Sequence, residues 1–125
     1  MKKTGMMLGL CVAMGLSTAS FAGEKFSYPV AVDTTNQTFS GSMGTARNST
    51  DTLQILSCFY STSFVSCFAQ DDSGVSASCL STDAELVATV RALGSDSYLQ
   101  VNYDNAGTCT SIIVGAGSYF EPKQP

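Results

Sequence analysis

Histidine is absent from this 125-residue chain. Without it the commonest general base is missing, and neither Ser-His-Asp nor Cys-His nucleophile arrangements can form. The same absence excludes zinc sites built on Cys and His. No C-x-x-C pair is present for a four-cysteine site or a thiol redox centre. No D-x-D-x-D-G run is present to seat calcium, and neither the Walker nor the dinucleotide glycine spacing occurs. There is no internal repeat, low-complexity block or linker. Positive charge is scarce, with six Lys and Arg against ten Asp and Glu. No apolar run reaches the roughly twenty residues that a membrane-spanning helix needs. The sequence therefore offers no catalytic constellation, no metal-ligand set and no cofactor motif.

What is present begins with an export signal. Lys2 and Lys3 precede an uncharged apolar stretch from Gly5 to Leu16, which ends in Ser17, Thr18 and Ser20. Ser20-Phe21-Ala22 places small side chains three and one positions before a cut. Residues 1–22 thus read as a cleavable signal peptide of bacterial type, and residues 23–125 as a single small domain of the periplasm or the medium. A retained anchor is disfavoured by the short apolar core. A lipoprotein is disfavoured because Leu10, not a small residue, precedes Cys11.

Cleavage changes two quantities. It removes two of the six cations and none of the ten acids, so residues 23–125 carry a balance of −6. That charge repels phosphate backbones and anionic headgroups, which excludes nucleic-acid partners and, after signal cleavage, membrane partners. It also removes one of five cysteines, leaving Cys58, Cys67, Cys79 and Cys109. An even set in a short exported domain implies two disulfides.

Alternation of apolar residues predicts strands near residues 37–42, 53–60, 64–70, 75–80, 97–103 and 108–114. Tyr28 to Val32 form a further short strand or irregular lead-in, because Pro29 cannot donate to a ladder. Gly74 and the Asp104-Asn105-Ala106-Gly107 run mark hairpin turns. Thr82-Asp83-Ala84-Glu85 has the form of a capping box with Thr82 as cap. Leu86, Val87, Val90 and Leu93 then follow at helical spacing, predicting one helix at about 83–93. Residues 44–49 read as a loop and Pro122 to Pro125 as a loose tail. The expected fold is α+β: a mostly antiparallel sheet, one helix packed on it, and disulfide staples.

The Asp72-Ser73-Gly74 loop brings Cys67 opposite Cys79, favouring Cys67–Cys79 with Cys58–Cys109. Cys58 and Cys67 can also be brought opposite each other across the Ser61-Thr62-Ser63 loop.

Among charged groups, Asp71, Asp72, Asp83, Asp96 and Asp104 are the carboxylates available for acid–base or glycoside chemistry. For Asp71, Asp72 and Asp104 turn chemistry, with the side chain folding back onto nearby backbone N–H groups, is the favoured reading. Arg47 and Asn48, in a glycine-bearing stretch, are the candidate binding residues. Tyr60, Phe64, Tyr98, Tyr103, Tyr119 and Phe120 are available for a contact surface, although aromatics at strand spacing are usually core.

The run Gly41-Ser42-Met43-Gly44-Thr45-Ala46-Arg47-Asn48-Ser49, followed by Cys58, Cys67, Cys79 and Gly107-Thr108-Cys109, resembles a group of short secreted proteobacterial proteins of uncharacterised function. The resemblance spans most of residues 40–115. It implies export and two disulfides, and carries no activity or site. The expected function is a non-catalytic binding or interaction domain for a protein, small-molecule or glycan partner. A small carboxylate-dependent hydrolase and an inhibitor of a secreted enzyme are the alternatives.

Overall fold

The computed structural model describes residues 23–125; residues 1–22, expected to be a signal peptide, lie outside the described residues. In chain order the elements are β1 (Ala31–Asp33), β2 (Thr38–Ser42), α1 (Met43–Asn48), β3 (Ile55–Tyr60), β4 (Val65–Gln70), β5 (Ser76–Ser81), α2 (Ala84–Val90), β6 (Tyr98–Tyr103) and β7 (Cys109–Gly115). Two antiparallel sheets result, ordered β1-β2-β6-β7 and β3-β4-β5. The fold is α+β and β-rich, as the alternation of apolar residues requires.

The β4–β5 and β6–β7 hairpins share one device. Asp71 Oδ1 accepts from the N–H groups of Ser73 at 2.9 Å and Val75 at 3.0 Å. Asp104 Oδ1 accepts from Ala106 and Thr108, both at 2.9 Å. Each loop closes through a glycine in the left-handed region, Gly74 at φ 85° and Gly107 at φ 78°, where a Cβ would be strained. Asp33 begins the β1–β2 turn in the same way, accepting from the N–H groups of Thr35 and Asn36.

One core lies between the sheets. Phe39, Leu99 and Val101 enter it from the larger sheet, and Val65, Cys67 and Ala69 from the smaller. Helix α2 packs against β7, β3 and β4 through Val87 and Val90. Its cap is Asp83, not Thr82. Asp83 Oδ1 accepts from the N–H groups of Glu85 and Leu86, two donors that one hydroxyl at Thr82 would not reach. The α-helical ladder ends at Val90. The turn beyond tightens, with Ala92 N–H donating to Thr89 O and Leu93 N–H to Val90 O. The helix is thus shorter than the 83–93 span of its apolar stripe.

The disulfides correct the expected pairing: they are Cys58–Cys67 and Cys79–Cys109. Cys67 does lie opposite Cys79, but it lies opposite Cys58 as well. Ladder parity decides between them. Ser61 N–H donates to Phe64 O, and counting back makes Cys58 and Cys67 a non-hydrogen-bonded pair, with Cα atoms 4.0 Å apart. Asp71 N–H donates to Val75 O, and the same count makes Cys67 and Cys79 a wider, hydrogen-bonded pair. Side chains come closer in the narrow pair, so Cys67 bonds to Cys58. Cys79 is left to Cys109, next to the point where Leu80 N–H donates to Gly107 O at 2.9 Å and joins the two sheets.

Candidate functional site

The expected loop 44–49 is helical through Asn48: Met43–Asn48 form α1, a six-residue helix. Ser42 caps it, accepting from Thr45 N–H at 3.2 Å. Thr45 Oγ1 accepts from Ser42 Oγ at 2.9 Å and from Tyr28 N–H at 3.1 Å, and donates to Glu121 Oε2 at 2.9 Å. Ser42 and Thr45 are both buried. Their hydroxyls satisfy one another and reach the far end of the chain.

That end is not a loose tail. Asn48 Nδ2 donates to Glu121 Oε1 at 3.1 Å and to Pro122 O at 2.8 Å, and Asn48 Oδ1 accepts from Gln124 N–H at 2.7 Å. Lys123 N–H donates to Asp96 Oδ1 at 3.0 Å. Asn48 is therefore a clamp on residues 121–124, with both ends of its amide in use. The residue expected to bind beside Arg47 thus has a structural task in holding the C-terminal segment.

Arg47 takes no part in these bonds. It is exposed at the end of α1 and lines a cleft of 450 Å³ together with Lys123. Met43, Ile55 and Leu56 supply the cleft's apolar wall, and Asp51, Gln54 and Ser95 its polar groups. Asp51 is bound into its own turn. Its Oδ1 accepts from the N–H groups of Leu53 and Gln54, both at 2.9 Å, and its Oδ2 from Gln54 Nε2 at 2.7 Å. These bonds, the Gln54 side chain foremost, hold the Asp51 carboxyl below its ordinary pKa. Gln54 Oε1 in turn accepts from Val30 N–H at 3.0 Å and fixes the wall to the larger sheet. Arg47 and Lys123 thus both line the cleft beside an apolar surface, together with one acid, Asp51, whose carboxyl is bound by N–H donors and keeps its charge. A planar guanidinium with an apolar neighbour suits a carboxylate-bearing ligand.

Lys123 and Gln54 were not among the sequence candidates. The Asp51-Thr52-Leu53-Gln54 turn was readable as an aspartate closing on nearby N–H groups. Lys123 carried no signal, because only the docked tail brings it to Arg47.

The carboxylates proposed for hydrolysis lie on four separate turns. Asp71, Asp83 and Asp104 each bind two local N–H groups, and Asp96 binds the tail. Asp72 is exposed beside Ser73. Among the described residues, no three His, Cys, Asp or Glu side chains gather as a metal group would require.

The aromatic candidates separate as well. Tyr98, Tyr119 and Phe120 join Phe26 and Tyr28 in one cluster, with Tyr98 and Phe120 stacked at 5.6 Å and Tyr28 edge-on to both. The cluster seals the seam where Phe26 N–H donates to Tyr119 O at 2.9 Å. Tyr103 packs on Phe39 in the core, while Tyr60 and Phe64 belong to the β3–β4 hairpin.

No protein family, curated protein or solved structure matches this chain. Two disulfides suit an oxidising compartment. Among the described residues, no helix is long and apolar enough to cross a membrane.

Proposed function

We propose that residues 23–125 act as an exported, non-catalytic binding domain of the periplasm or medium, taking a carboxylate-bearing glycan or small molecule at the Arg47–Lys123 cleft. Export is supported by the charged and apolar character of residues 1–22 and by the two disulfides. One observation carries the ligand class. Residues 23–125 hold four cations against ten acids, yet two of those four line a single cleft. On an acidic surface that pairing is the place where an anion meets the least repulsion. Apolar wall residues then favour a ligand with a ring or aliphatic body.

The test is a titration of isotope-labelled residues 23–125 with oligogalacturonate, followed by NMR. Resonances of Arg47, Gln54 and Ile55 are expected to shift, with binding weakened by added salt. Arg47→Ala is expected to lower affinity about tenfold, the worth of one charge-assisted hydrogen bond. Unchanged affinity in Arg47→Ala would remove the cleft from the account. Turnover of the glycan would replace binding with hydrolysis.

A further inference from the structure

We propose that a second copy of this chain pairs with the open edge of β3, the two strands running antiparallel about a two-fold axis at Phe59. β3 is the outer strand of its sheet and, among the described residues, its ladder runs only with β4. The parity that fixes the Cys58–Cys67 bond turns the backbone groups of Cys58 and Tyr60 away from β4. Neither enters any other backbone hydrogen bond among the described residues. Edge strands are usually blunted by charge, proline or a bulge. β1 is only three residues long and ends in Asp33. β3 reads Ile-Leu-Ser-Cys-Phe-Tyr and has none of these protections.

Its face points to the same occupant. β3, β4 and β5 contain no charged residue. Another copy carries the same acidic excess, and two copies meeting through a face without charge bring no acids against each other there. On that face Phe59 is 74% exposed, and Ile55 and Leu80 are exposed as well. Pairing Cys58 with Tyr60 of the second copy, and Tyr60 with its Cys58, uses all the free groups of both residues. The same register sets Phe59 against the second copy's Phe59 at a non-hydrogen-bonded position, where side chains approach most closely. The contact is isologous, so it closes as a dimer and does not propagate through this edge.

The experiment is sedimentation equilibrium of oxidised residues 23–125 from 5 µM to 500 µM (roughly the range of weak self-association), with hydrogen exchange read at both extremes. A dimer is expected at the high end, with the amides of Cys58 and Tyr60 protected there and exposed on dilution. Phe59→Lys is expected to weaken the dimer at least tenfold while leaving the melting temperature of the dilute monomer unchanged, since the side chain is exposed there. A monomer at every concentration would overturn the proposal. A dimer indifferent to Phe59→Lys would also overturn it, as would protection of those amides only by an extended segment of another protein.

Discussion

Gly44→Ala is expected to be among the most damaging single-methyl additions in the chain. A Cβ at this position would lie inside the van der Waals boundary of the Glu121 carbonyl oxygen, and close to Pro122 as well. Both obstacles are backbone, so no side chain can swing aside. Either α1 shifts or residues 121–124 lift away, with loss of their bonds to Asn48 and Thr45. The cost should be about 3 kcal/mol, the upper part of the range for overpacking. Ending the chain at Phe120 removes the obstacle. There Gly44→Ala should change sign, because alanine is the better helix former by about 1 kcal/mol. Denaturant unfolding of the four proteins in this cycle checks the expectation. Equal effects of Gly44→Ala in both lengths would contradict the tail's placement.

The second large effect concerns the disulfides, which are expected to be unequal. Cys79–Cys109 closes a separation of 30 residues and Cys58–Cys67 one of 9. Chain entropy alone makes the first worth about 3.6 kcal/mol and the second about 2.6 kcal/mol. Position widens the gap. Cys58–Cys67 bridges two strands that their own ladder already holds, whereas Cys79–Cys109 ties the smaller sheet to the larger. The double replacement Cys79→Ala, Cys109→Ala should therefore lower the melting temperature by about 14 °C or more. Cys58→Ala with Cys67→Ala should cost clearly less. Calorimetry of the two variants decides, and a larger loss from the Cys58–Cys67 variant would reverse the account.

The readable parts of this fold are those set by neighbours in sequence. Gly74 and Gly107 announced their turns because a left-handed residue after an aspartate closes a hairpin locally. The strand alternation and α2 were readable for the same reason. Cys67 was correctly set opposite Cys79, and only the narrow-and-wide alternation of the ladder shows why the bond goes to Cys58 instead. What could not be read depends on contacts across the chain. α1 is six residues long and contains a glycine, too short and too weak in propensity to declare itself. It is fixed by Ser42, Thr45 and a glutamate 76 residues from Thr45. The tail's prolines suggested looseness, and the amide that holds it, Asn48, looked like half of a binding pair. The glycine-bearing stretch thus divides its labour: its buried and clamped members hold the C-terminal segment, and Arg47 stands exposed outside that network.

That division is tested most directly by the unfolding free energies of Asn48→Ala and Arg47→Ala, measured side by side. Asn48→Ala removes three hydrogen bonds and is expected to cost about 1–3 kcal/mol. Arg47→Ala is expected to stay within about 0.5 kcal/mol of the parent, as an exposed substitution outside that network. A silent Asn48→Ala, or an Arg47→Ala loss of the same size, would contradict it.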